Sequence, residues 1–235
     1  MVFSDVSSDL LCMCTEAARD LGVLDRCRFV QASADDLGMI HDESVDVVTT
    51  RSVLIYVARK RDAFHEFARV LRHGGRISLF EPINRFARRS ANTWMGYDLG
   101  QLHDIGVKLR AVYDALQPPA TDPMLDFDER DLVRLAREAG FFPIHLRLDA
   151  DVKPTEPGAW DAFVNTAGNP RIPTLAEAMQ QSLTPRERDL LTEHLRPQVE
   201  SGLGEWRMAT AYLVATRANA DEQQPQTRRS HRTEG

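Results

Sequence analysis

The sequence predicts an α/β fold built on an open sheet of mostly parallel strands with helices packed between them. Three observations carry that expectation. Strand and helix patterns alternate through residues 1–80. Residues 45–50 (VDVVTT) form a nearly continuous β-branched run, the pattern of a parallel strand covered on both faces. A helical excursion over residues 152–205 precedes a last strand at residues 208–216 (MATAYLVAT).

The elements follow in order. Residues 2–5 read as a strand entering a turn. Ser7 or Ser8 offers an N-cap, and Leu10, Cys14, Ala17 and Leu21 make one apolar helical stripe that Gly22 closes. Residues 28–31 (RFVQ) are a second strand, followed by the polar loop 32–36. After the strand at 45–50, a helix over residues 61–72 places Phe64, Phe67, Ala68 and Leu71 on one face, and Gly74-Gly75 stop it. Residues 76–80 (RISLF) are the next strand. Residues 84–117 read as helical in pieces, carry Trp94, Tyr97 and Tyr113, and end at Pro118, Pro119 and Pro123. Asp128 caps a helix whose face is Leu132, Leu135, Ala136 and Ala139, closed by Gly140. Residues 142–148 alternate as a strand. Inside the excursion, Thr184, Pro185 and Glu187 form a capping box with proline at the first helical position. One domain is therefore expected over residues 1–217, with its helical cap at 152–205. From Ala218 the chain is polar and lacks apolar period, so residues 218–235 are expected to be disordered.

Composition narrows the function classes. The 235 residues are 43% hydrophobic and 27% charged, which suits one sizeable globular core. A net charge of −6 supplies no basic face for nucleic acid. No apolar run approaches the ~20 residues of a membrane span, and the N-terminus lacks the pattern of a signal peptide. Cys12, Cys14 and Cys27 are odd in number, which argues against a disulfide framework and for a reducing, cytoplasmic setting. Cys12 and Cys14 fall on different faces of a helix, so they are expected to be buried small hydrophobes and not metal ligands. No metal site is expected.

Four segments, in this order and spacing, carry a resemblance: VFSDVSSDLL, RFVQASADDL, SVDVVTTRSVLIYV and FARVLRHGGRISLFEP. Together they resemble the class I S-adenosylmethionine-dependent methyltransferases, in the broad group that includes ubiquinone-type and arsenite-type enzymes. The resemblance implies a Rossmann-like sheet with an antiparallel last strand and S-adenosylmethionine as cofactor. It runs from Val2 to about Leu148 and resumes at Met208.

The resemblance also assigns residues. Asp5, at the end of its strand, would accept the ribose hydroxyls of the cofactor, with Val6 beside the adenine; the alternative for Asp5 is a charge at a helix N-terminus. Ala34 and Asp35 would meet the adenine edge, Asp35 accepting from the exocyclic amino group and Asp36 acting as a cap; the alternative is a solvated turn. Thr50 and Arg51, with Ser52, lie at the carboxyl end of their strand and would border the methyl donor. Tyr56 and Glu81 are candidates for the acceptor, against the alternatives of a half-buried core aromatic and of a cap for the following segment. Packing is expected for Trp94 and His103, and a surface turn for His73. Methyl transfer needs alignment more than acid–base help, and no catalytic base is assigned.

The family's first strand and glycine-rich cofactor loop have no counterpart in this sequence. Gly74-Gly75 is misplaced, and Gly202-x-Gly204 follows a helix. By resemblance the missing strand is central, so a gap of two strand spacings, ~9.5 Å, is expected between the strands at Val2 and Val45. A start placed upstream, direct pairing of the two strands, or recruitment of a partner such as a second copy would each close it, and activity in the present form is expected to be impaired. The leading expectation is methylation of a small-molecule acceptor. The alternatives are a non-catalytic binding protein of the same fold and a nicotinamide-dependent oxidoreductase, since Asp5 suits that ribose as well.

Overall fold

A computed structural model of the chain describes residues 1–87 and 92–218. Strand β1 (Val2–Asp5) leads into helix α1 (Ser8–Asp20), where Ser7 is the N-cap and its hydroxyl accepts from the Leu10 amide. β2 (Arg28–Gln31) and β3 (Val45–Arg51) follow, then α2 (Lys60–Val70) and β4 (Leu71–Pro82). The short helix α3 (Asn84–Ala87) precedes a hairpin of β5 (Thr93–Trp94) and β6 (Tyr97–Asp98). Helices α4 (His103–Leu116) and α5 (Glu129–Glu138) lead to β7 (Phe141–Pro154). Three helices, α6 (Trp160–Asn165), α7 (Leu175–Ser182) and α8 (Pro185–Glu200), separate it from β8 (Glu205–Arg217).

The strands form a parallel pair, β1 with β2, and a four-stranded sheet in the order β3-β4-β8-β7. In the larger sheet β3 and β4 are parallel, and β8 runs antiparallel to both of its neighbours. One reversed strand in an otherwise unidirectional set is the expected architecture. The two sheets are not joined by strand hydrogen bonds among the described residues.

That break changes one expectation directly. β3 is an edge strand, not a strand covered on both sides, and Val47 is 55% exposed. The β-branched run reports the strand conformation correctly, but its burial depends on a neighbour. The same cause alters α1. Because it packs mainly on the two-stranded sheet, its covered strip is narrow and centres on Leu11 and Ala18. Leu10 and Leu21 of the expected stripe are exposed, and so is Cys12, while Cys14 is half-buried.

The main core lies between the larger sheet and α2 and α5, with Phe64, Phe67, Ile77, Leu132 and Phe141 fully or almost fully buried. Gly75 is required where α2 turns into β4: a Cβ there would stand 2.8 Å from the Arg72 carbonyl oxygen and 3.1 Å from that of Asp46. A second core fills the cap, where Leu99, Leu109, Leu175 and Leu191 from four segments meet.

Several boundaries move. α2 ends at Val70, two residues early, and β4 takes in the His73-Gly74-Gly75 turn. β7 and β8 extend past the expected strands as a long ladder that pairs Pro154 with Glu205, so the helical part of the excursion is contained within residues 155–204. The expected helical stretch at 84–117 is broken by the β5–β6 hairpin, which turns at Gly96 with φ +99°. Ala218, placed in the disordered tail from sequence, is 7% exposed and donates its amide to Gly140. The rest of that tail, residues 219–235, lies outside the described residues.

Candidate active site

β1 and β2 are parallel and in register, with Asp5 opposite Gln31, so both strands deliver their carboxyl ends to one edge. The Ala32 amide donates to the Asp5 carbonyl at 3.1 Å, which ties the loop after β2 to the end of β1. One Asp5 carboxylate oxygen accepts the Ser7 amide at 2.8 Å. Asp5 thus holds the turn into α1 as well as standing at the edge. Val6 is 66% exposed beside it, and its carbonyl accepts from the Gln31 side chain at 3.0 Å.

The loop after β2 is more tightly held than its sequence suggests. Ala34 packs against the main core. Asp35 is not a free acceptor: Ser33 Oγ donates to its Oδ1, and Arg59 Nε donates to its Oδ2 at 3.0 Å. Arg59 has no sequence signal as a site residue, because it reaches the loop from the segment before α2. Asp36 accepts weakly from the Gly38 amide at 3.4 Å, as a local cap does.

At the end of β3 the controlling group is Glu81. Its Oε1 accepts from Thr50 Oγ1 at 3.3 Å and from the Val53 and Leu54 amides at 3.1 Å each. Its Oε2 accepts from the Ile55 amide at 3.3 Å. Glu81 is fully buried, and burial holds its carboxyl above the usual carboxylate range against the opposing pull of these four donors. Glu81 therefore shapes the loop that follows Arg51, where Ser52 takes a left-handed φ of +55°. The segment that Glu81 caps therefore lies after β3, not after β4 as expected. Thr50 faces the same carboxylate with its hydroxyl. Arg51 stacks its guanidinium over Phe80 at 5.0 Å from the ring centroid. Tyr56 ends the short 3-10 turn Leu54–Tyr56 and is 62% exposed, not half-buried.

Asp5, Val6, Ala34 and Asp35 therefore gather at the β1–β2 edge. Thr50, Arg51 and Glu81 gather at the β3–β4 edge. Neither of the two cavities in the cap, of about 630 and 320 Å³, is lined by any of these residues. Among the described residues no cluster of His, Cys, Asp or Glu is arranged to hold a metal ion, and no helix is long and apolar enough to cross a membrane.

Residues 1–79 match the family described as Methyltransferase domain. The ubiquinone/menaquinone biosynthesis C-methyltransferase UbiE of Citrobacter koseri is 26% identical over 141 residues, which are 60% of this chain and 56% of that protein. Its counterpart from Salmonella arizonae matches to the same extent. The chain thus aligns with little more than half the length of these relatives. Among solved structures, the YcgJ protein of Bacillus subtilis gives a TM-score of 0.52 at 14% identity, covering 93% of this chain and 82% of that one. A proposed methyltransferase from Bacillus halodurans gives 0.51 at 17% identity, covering 93% and 83%. These structural likenesses concern the fold.

Proposed function

We propose that this chain, a class I methyltransferase by its fold and by the domain that its residues 1–79 match, transfers a methyl group from S-adenosylmethionine to a small-molecule acceptor. The observation that carries the reading is the shared edge of β1 and β2, where Asp5 and the Ala34–Asp35 loop come together in the order the family motifs require.

The residues at that edge suit an adenosine group. Asp5 retains acceptor capacity beyond its one bond to Ser7, enough for ribose hydroxyls. Asp35 keeps lone pairs beyond its bonds to Ser33 and Arg59, and exposed Val6 offers an apolar surface to a base. We assign Thr50 and Arg51 to the border of the methyl donor and Tyr56 to the acceptor, with Glu81 beneath them shaping the loop after β3. The methionine half is assigned no partner among these residues. When bound, S-adenosylmethionine supplies the methyl carbon and the sulfonium leaving group. The chain's part is alignment, which can lower a barrier by up to ~7–11 kcal/mol. A base is needed only for an acceptor that arrives protonated. The cap between β7 and β8 is proposed as the acceptor-recognition element.

Titration with S-adenosylhomocysteine tests this. Saturable binding, displaced by adenosine and weakened in Asp5→Ala, is the expected result. Failure to bind S-adenosylhomocysteine or S-adenosylmethionine at any concentration would overturn the reading.

A further inference from the structure

The larger sheet has one covered face and one open face. Successive residues of a strand point to opposite sides. Ile77 and Leu79 of β4 and Ala211, Leu213 and Ala215 of β8 are buried in the main core. Their sequence neighbours therefore point away from it, and the strand register lays these outward residues in rows. Arg51, Phe80, Tyr212 and Arg147 form one row through all four strands, and Thr49, Ser78, Val214 and His145 form the next. Val47 and Arg76 pair in the row beyond. Val47 is 55% exposed and Val214 43%, and the rings of Phe80 and Tyr212 meet edge to face at 5.2 Å between centroids. A sheet face left to water is ordinarily polar. This one has an apolar centre.

The charge on this face is unbalanced. Asp149 already pairs with Arg147 at 3.1 Å, and Arg147 lies over the Tyr212 ring. Arg51 lies over Phe80, Arg76 is exposed, and neither is ion-paired among the described residues. The face thus keeps two uncompensated guanidinium charges beside its apolar centre.

The complementary surface is on the same chain. In α1, Leu11 and Ala18 are buried and mark the inner side. At ~3.6 residues per turn, Asp9, Glu16 and Asp20 stand opposite them, with Leu10, Met13 and Ala17 alongside. Leu10 is 49% exposed and Met13 64%. The three acids are exposed as well, and none is ion-paired among the described residues. Arg19, the cation of this helix, points about a third of a turn away from Met13. The helix packs mainly on β1 and β2, and since its outer strip is exposed it does not cover the open face of its own chain.

The two surfaces match in chemistry and in size. An apolar strip edged by three unpaired carboxylates suits an apolar patch edged by two unpaired guanidinium groups. The 13 residues of α1 make a helix ~20 Å long, and the four strands span ~14 Å between their outer axes, so one helix reaches across the sheet. Pairing about a two-fold axis makes the contact twice, each copy giving its helix and receiving its partner's.

We propose that two copies of this chain associate about a two-fold axis, α1 of each lying across the open sheet face of the other. The contact joins side chains and does not use the backbone edge of β3. It is independent of the methyltransferase reading.

The experiment is sedimentation velocity on the full chain and on two double variants, alone and mixed. The face variant carries Arg76→Glu and Ser78→Glu, and the helix variant carries Glu16→Arg and Asp20→Arg. All four positions are exposed, and none lies on β3, so pairing at the β3 edge is common to every sample. The native chain should dimerise. Each variant alone sets like charges against each other in both contacts and should dimerise at least about tenfold more weakly. An equimolar mixture should recover the native dimer, because an acidic helix then meets a basic face and a basic helix meets an acidic one. The single substitutions Arg76→Glu and Glu16→Arg should act in the same direction, which covers a double variant that fails to fold. A native chain that stays monomeric, folded variants that associate as strongly as the native chain, or a mixture no more associated than its components would overturn the proposal.

Discussion

Arg59 Nε lies 3.0 Å from Asp35 Oδ2, and the Asp35 side chain is only 11% exposed. The carboxylate assigned to the adenine edge is thus held by a charge partner from the segment after β3, which links the two sheets' loops.

That pairing makes a discriminating test. Asp35→Ala should weaken adenosyl ligands several-fold and leave inosyl analogues, which lack the amino group, nearly unaffected. An equal loss on both would mean that Asp35 and Arg59 only brace the loop. Competitive titration against S-adenosylhomocysteine measures the difference.

Asp5 serves both the turn and the edge, so two substitutions separate its roles. Asp5→Ala removes a charge-assisted acceptor from the ribose and should lower cofactor affinity by roughly 10- to 100-fold. Asp5→Asn keeps one carbonyl oxygen for the Ser7 amide and should retain more thermal stability, while still losing affinity. If Asp5→Ala binds S-adenosylhomocysteine as tightly as the native chain, Asp5 has no place in the site.

Glu81 predicts a pH effect on stability. Its carboxyl sits above the usual value because of burial, so the folded state holds the proton more firmly than the unfolded state does. This contribution is full below the unfolded value of 4.5 and is lost as pH rises through the folded value. The stability of the native chain relative to Glu81→Gln should therefore fall from pH 4 to neutrality, as read by urea unfolding. A difference that stays constant or grows with pH contradicts the assignment. Glu81→Ala leaves three amides and the Thr50 hydroxyl without their acceptor and should cost about 3 kcal/mol or more.

The free edge of β3 predicts association. A strand edge carrying an exposed β-branched residue is a template for pairing. Light scattering should show the native chain growing in mean mass with concentration, and Val47→Lys should suppress this without lowering the melting temperature by more than a few degrees. A native chain that stays monomeric throughout would show the edge to be protected.

What could be read from sequence is what depends on near neighbours. Ser7, Asp128 and Thr184 are caps because each meets an amide two or three residues ahead, and spacing displays that. The strand at β1 ends on Asp5 for similarly local reasons, and four motifs in order suffice for the succession of strands. Even the β-branched run at β3 names its own conformation. Its burial is another matter, because covering Val47 needs a neighbouring strand that spacing cannot supply. The tertiary structure alone decided that Leu11 and Ala18, not Leu10 and Leu21, line the covered side of α1. It also decided that Asp35 is paired with a residue 24 positions away and that Glu81 reaches back 27 positions to the Leu54 amide. A carboxylate's role follows from which donors surround it, and those donors arrive from distant segments only when the chain packs. The same holds for Trp94, expected from sequence to be mere packing. Its ring does pack, 5.3 Å from that of Tyr113 centroid to centroid, a contact made only when β5 and α4 come together.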